Sequence, residues 1–156
     1  DYLKFNVQLF PEDQIIGEYI PELDAYLLFI PYMNYHNLLL EYVEEFEFIH
    51  FSKALIKQSF KKTLANTQKL KVIVRNNQID IIGFEGQKFK LCNTFSFKTE
   101  IDIVYYILFC VEELGFNQEE MGLYITHSQE KNDWIDVLRK YIKNVYDHQE
   151  NFSILA

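Results

Sequence analysis

The sequence is poor in the residues that would assign it to several functional classes. It has two cysteines in 156 residues, Cys92 and Cys110. Without a close pairing pattern they argue against a disulfide framework and suit a reducing cytosol, so a cytoplasmic protein is expected. No stretch approaches the roughly 18 uninterrupted apolar residues of a membrane helix, and no cleavable signal pattern is present, so no membrane partner is expected. Positive charge is the minority: 15 Lys and Arg face 23 Asp and Glu, for a formal net charge of -8. Nucleic acid is disfavoured as a partner, because phosphate binding needs clustered positive charge. The histidines, His36, His50, His127 and His148, are scattered over different elements, and none has a partner at metal-ligand spacing. Zinc usually needs at least three ligands, so no metal site is expected. Ser128 lacks a Gly-x-Ser-x-Gly elbow and neither cysteine carries a nucleophile signature, which leaves covalent catalysis without support. There is no long linker, low-complexity tract or short-period repeat.

What is present is apolar and aromatic: 49% of residues are hydrophobic and 17% aromatic, the composition of a globular chain with a real core. The stretch Leu70 to Phe97, LKVIVRNNQIDIIGFEGQKFKLCNTFSF, reads as three consecutive antiparallel strands. Leu70–Val74 and Gln78–Phe84 are nearly continuous in β-branched and apolar residues, which suits central strands covered on both faces. The third run alternates, with Phe89, Leu91, Asn93, Phe95 and Phe97 on one side and Lys88, Lys90, Cys92, Thr94, Ser96 and Lys98 on the other, as an edge strand with a wet face does. Arg75-Asn76-Asn77-Gln78 forms the first turn, since Asn tolerates left-handed angles, and Glu85-Gly86-Gln87 the second.

Thr99-Glu100-Ile101-Asp102 then starts a helix with a capping hydroxyl and early acidic residues. Ile101, Val104, Tyr105, Leu108 and Val111 recur at helical spacing, and Gly115 closes the helix. A strand at Met121–Thr126, a helix from about Asp133 to Ile142 built on Trp134, Val137, Leu138 and Tyr141, and a strand near Val145 complete a βββαβαβ order.

Upstream, Leu3, Phe5, Val7 and Leu9 alternate as a half-buried strand, and Glu12 to Pro21 reads as an irregular connection. AYLLFI after Asp24 reads as a buried strand stopped by Pro31, Asn34 as the cap of a helix carrying Tyr35, Leu38, Leu39 and Tyr42, and Phe46–Ile49 as a returning strand. Strand, helix and strand with short joints imply a parallel pair. Ser52 to about Gln68 reads as a connecting helix. Its Lys53, Lys57 and Lys61 recur every fourth residue as a solvated basic face, or as one meeting an acidic partner such as the Glu41, Glu44, Glu45 and Glu47 cluster.

The order of elements from Leu70 to Val145 resembles the second half of an actin-like ATPase, a ribonuclease H-like fold, and IPELDAYLLFIPYMNYHNLLLEYVEEFEFIHFSKALI resembles the end of the first half with its connector. PELDAYLLFIP, the hairpin pair, FSFKTEIDIVYYILF and LRKYIKNV are together similar to an uncharacterised bacterial family of unknown function with that fold. The resemblance implies a mixed α/β sheet, with residues 1–51 as the end of a first half, 52–69 as a connecting helix and 70–156 as a second half. It also implies a C-terminal portion of a longer protein.

ATP-using members of that superfamily carry glycines in the first hairpin, where bare amides approach phosphate oxygens. Here Ile73 replaces the leading Asp, and Arg75, Asn76 and Asn77 replace glycines; Asp80 survives. After the fourth strand, His127 and Ser128 stand where a glycine-rich turn would meet adenosine. The resemblance therefore implies a scaffold without catalytic residues or cofactor, acting through an unidentified protein partner or self-association. The alternative is a divergent ATPase holding ATP and Mg with Arg75, Asn76, Asn77, Asp80, His127 and Ser128. A nuclease reading needs carboxylates on the first strand, first helix and fourth strand, and Val72–Val74 and Tyr124–Thr126 supply none. The adjacent pairs Glu44-Glu45 and Glu112-Glu113 point in different directions and read as solvated helix surface. Tyr105, Tyr106 and Phe109 cannot all enter one core from one helix, which leaves aromatic surface for a partner or an additional subdomain.

Overall fold

A computed structural model describes residues 3, 5, 7–43, 49–60, 67–128 and 133–149. The chain divides into two compact units, Asp1–Gln58 and Ser59–Ala156.

In the first unit, β1 (Ile16–Ile20) pairs antiparallel with β2 (Ala25–Phe29), in register from Ile16 opposite Phe29 to Ile20 opposite Ala25. The connection is one turn of 3-10 helix, Pro21–Leu23. Pro21 presets its entry, and Asp24 leaves it in the left-handed region at φ 48°, its N–H donating to the Pro21 carbonyl at 3.3 Å. Tyr19 Oη donates to the Asp24 carboxylate at 2.7 Å across the turn. The expected irregular connection over Glu12 to Pro21 is therefore half strand, because the Pro-x-x-Asp signal makes a hairpin and not only a break. AYLLF is not a buried strand: Tyr26 and Leu28 stay exposed on a two-stranded ribbon. Its described neighbour is antiparallel, and most of the strand expected over Phe46–Ile49 falls on 44–48, outside the described residues.

Among the described residues of Leu3–Leu9 the expected strand is absent. Leu3 and Phe5 have helical backbone, and the Val7 N–H donates to the Leu3 carbonyl at 2.9 Å. Helix α1 (Met33–Leu40) begins one residue ahead of Asn34, with Tyr32 at its cap and no side-chain cap bond, so Asn34 is not the cap. Helix α2 (Phe51–Phe60) matches the first part of the expected connecting helix; 61–66, with Lys61, lie outside the described residues, and Gln68 is already strand. Its basic face is not wholly solvated, because Lys53 Nζ lies 3.3 Å from Glu18, a buried carboxylate that also accepts the His50 N–H at 3.1 Å. Desolvation pushes the His50 imidazole below its ordinary pKa of 6.5, against the opposing pull of Glu18.

The second unit is built on a five-stranded sheet of β3 (Gln68–Arg75), β4 (Gln78–Glu85), β5 (Lys88–Ser96), β6 (Gly122–His127) and β7 (Asn144–Gln149). The spatial order is β5-β4-β3-β6-β7, with the first three strands antiparallel and β6 and β7 parallel to β3. Helices α3 (Glu100–Glu113) and α4 (Asp133–Leu138) make the crossovers that parallel strands require. Both pack on one face, where Leu70, Val72, Val74, Ile79 and Ile81 meet Ile103, Ile107, Trp134 and Leu138 in one core. The opposite face is also dry at its centre, with Ile73, Ile82 and Phe84 at most 5% exposed, so β3 and β4 are central strands covered on both sides.

Local differences from the sequence reading have physical causes. The register of β4 and β5 shifts between Gly83 and Phe84, so Gly83 faces Leu91 but Phe84 faces Phe89. One extra residue inverts side-chain parity, and Phe89 therefore leaves the side of Leu91 and Phe95 to meet the Phe84 ring edge-on at 5.8 Å. Asn76 and Asn77 do not use left-handed angles; among the described non-glycine residues only Asp24 has positive φ. Helix α3 buries Ile103, Val104, Ile107, Cys110 and Val111, leaving Ile101 and Tyr105 exposed. Helix α4 buries Ile135 in place of Tyr141, which lies beyond its end and is exposed.

The expected start and stop of α3 are present. The Asp102 carboxylate accepts the Thr99 N–H at 2.9 Å and the Lys98 N–H at 3.0 Å, closing a capping box. Gly115, at φ 63°, ends the helix with its N–H on the Glu112 carbonyl while Phe116 reaches Val111. The two backbone N–H donors hold the Asp102 carboxyl below its ordinary 3.8. A depressed carboxylate stabilises the fold above its unfolded pKa and ceases to do so as pH falls through the folded value. Melting temperature measured from pH 6 to pH 2 should fall below about pH 4, and Asp102→Asn should flatten that part of the decline.

Among the described residues no helix is long and apolar enough to cross a membrane.

Candidate functional site

In an open α/β sheet, ligands favour the carboxyl ends of the parallel strands. Here β3 and β6 run side by side with Val74 opposite His127, so the Arg75-Asn76-Asn77 bend and the His127-Ser128 exit share one rim of the sheet. The sequence-predicted residues are thus gathered at one end, but they do not converge. Ile73 opposite Asp80 sets Arg75 and Asp80 on the face away from the helices, whereas His127 lies on the other face, 1% exposed and edge-on to Trp134 at 6.3 Å. Asn76, Asn77 and Ser128 are exposed.

Arg75 and Asp80, on either side of the bend, pair with each other. Arg75 grips one oxygen of Asp80 from two nitrogens, Nε at 2.9 Å and a terminal nitrogen at 2.7 Å. Thr94 on β5 donates its hydroxyl to the other oxygen at 2.7 Å. Asp80 is 2% exposed, so the surviving carboxylate is spent on protein donors from two neighbouring strands. The strand pairing runs to Arg75 opposite Gln78, which leaves two residues for the turn, and the Asn77 carbonyl accepts the Phe97 N–H at 3.0 Å. No group of His, Cys, Asp and Glu that could hold a metal ion occurs among the described residues.

The sequence reading missed a second polar region at the opposite end of the sheet. A cleft there is lined by Lys69, Glu120, Gly122, Tyr124, Asn144 and Tyr146. Tyr124 folds back over Gly122, where an added Cβ would come within 2.8 Å of its ring, and stacks on Tyr146 at 4.9 Å. Lys69 Nζ sits 4.9 Å from the Tyr124 ring centre, and Asn144 donates to the Met121 and Glu119 carbonyls. These contacts fix the strand ends. The only available signal was the repeated tyrosine on neighbouring parallel strands.

Neither cysteine is in a disulfide. Burial pushes the Cys110 thiol up to about 11, which makes it a core residue and not a nucleophile.

A family model described as a protein of unknown function, DUF3822, matches residues 1–145. Among solved structures, the chain is similar to a Bacteroides thetaiotaomicron protein described as having an actin-like ATPase fold and unknown function. The likeness has a TM-score of 0.86 at 25% identity and covers 99% of this chain and 62% of that one. The chain thus spans less than two thirds of the length of that protein. No curated protein matches the chain.

Proposed function

The chain belongs to the DUF3822 family and has an actin-like ATPase fold, and from that premise we propose that it is a non-catalytic scaffold that works through protein contacts. The observation that carries the reading is the Arg75–Asp80–Thr94 cluster. A triphosphate needs exposed backbone N–H groups at the bend, and magnesium needs a carboxylate with free lone pairs. The residues present fit neither requirement. Arg75, Asn76 and Asn77 put side chains where glycines would leave room, and Asp80 is buried, three of its four lone pairs already taken by Arg75 and Thr94. Asp80 is retained, on this reading, because β4 needs a partner for Arg75.

A cytoplasmic setting belongs to the same proposal, supported by two cysteines that form no disulfide. Contacts with a protein partner are supported by the exposed aromatic surface of α3, described below.

Thermal melting with Mg-ATP tests the reading. A ligand at 100 times its Kd adds about 2.7 kcal/mol of stability. The melting temperature is expected to stay unchanged at millimolar Mg-ATP; an upward shift that disappears in Asp80→Ala would replace the scaffold reading with an ATPase.

A further inference from the structure

The outer face of α3 lies opposite its core face. Ile101, Tyr105 and Phe109 are 64%, 61% and 40% exposed, and their four-residue spacing aligns them along about 12 Å of helix. This line is held in place by ring contacts. Tyr105 stacks on Phe109 at 6.1 Å and meets Tyr106 at 5.4 Å, and Tyr106 stacks on Phe95 of the sheet at 4.5 Å. An apolar ridge anchored in this way has lost its side-chain freedom before any partner arrives.

The helix itself carries charge of one sign, with Lys98 just ahead of its cap beside Asp102. Helix α3 reads EIDIVYYILFCVEE, with Glu100 and Asp102 at one end, Glu112 and Glu113 at the other, and no basic residue. Asp102 is used in the cap. Glu112 and Glu113 stand at the negative end of the helix dipole, where carboxylates oppose helix formation, and neither has an ion-pair partner among the described residues. A second copy would set one helix with four carboxylates and no basic residue of its own against another, which costs free energy.

We infer that this face is a docking surface for a basic amphipathic helix of a protein partner, whose apolar side chains lie against Ile101, Tyr105 and Phe109 while its Lys or Arg side chains reach Glu112 and Glu113. The inference rests on the scaffold reading and supplies its partner class.

The test uses the full chain and two synthetic peptides with leucines at helical spacing, one with lysines on the polar face and one with glutamates. The lysine peptide should bind, weakening about tenfold as salt rises from 0.05 to 0.5 M, and the glutamate peptide should not. Tyr105→Ser with Phe109→Ser should weaken binding by about tenfold or more, and Glu112→Lys with Glu113→Lys should transfer the preference to the glutamate peptide. Circular dichroism melting checks that both double variants fold. The proposal is overturned if the lysine peptide binds no better than the glutamate peptide, or if binding survives the aromatic double variant. It is equally overturned if sedimentation reveals a dimer that the aromatic double variant abolishes. A failed peptide result with a flat Mg-ATP melting profile removes the partner class alone, whereas a Mg-ATP shift lost in Asp80→Ala removes the scaffold reading.

Discussion

Phe84→Ala should destabilise the chain by about 3–5 kcal/mol, the range for emptying a fully buried phenylalanine site. Phe84 is 0% exposed on the central strand β4, on the face away from α3 and α4. Its ring meets Phe60 edge-on at 5.4 Å and Phe89 edge-on at 5.8 Å. Phe89 cannot fill the vacated space cheaply, since the shifted register of β5 holds it. Domains of this kind are stable by only about 5–15 kcal/mol, so the loss is a large share of the total. Urea unfolding of the variant against the parent measures it. A loss under about 1 kcal/mol would mean that the second face of the sheet is wet, against the architecture described here.

Arg75→Ala should be the more informative variant, at about 2–3 kcal/mol. Its removal strands a buried carboxylate with only the Thr94 hydroxyl for company. The value is set below that for a fully enclosed pair because the Arg75 side chain is 36% exposed, and water screens its share of the attraction. Asp80→Ala should cost less, about 1–2 kcal/mol, because the guanidinium it releases keeps access to water. The double variant should cost less than the sum of the singles, since the contact is lost only once. Equal and additive effects would show that the pair does not hold the bend.

The second unit was legible because its signals are local and agree with one another. β-branched runs separated by short polar turns, a capping box at Thr99 and Asp102, and Gly115 at the helix end each fix one element, and βββαβαβ follows. The face that α3 buries was not legible. From Ile101 to Cys110 nearly every residue is apolar, so periodicity has no contrast, and the sheet beneath selects Ile103 and Ile107 over Ile101 and Tyr105. A bulge inverts the parity of Phe89, and β6 ends one residue later than expected, which carries His127 into the strand and against Trp134 of α4. The β1–β2 hairpin is hidden because Pro21 reads as the close of an irregular connection and Asp24 only as the residue before a strand, and not as the two ends of a turn.

For the candidate site the sequence supplied the residues but not the pairing. Arg75, Asn76 and Asn77 in place of glycines could be read directly. That Arg75 reaches across the turn to Asp80, five residues on, depends on both sides of the hairpin presenting those positions to one face, which only the register shows.

The most direct test follows the backbone amides of Arg75, Asn76, Asn77 and Gln78 by nuclear magnetic resonance while Mg-ATP is titrated into the full chain. The account predicts that these resonances stay where they are, the Arg75 side chain remaining on Asp80. Saturable movement of the Asn76 and Asn77 amides, absent with magnesium alone, would contradict it.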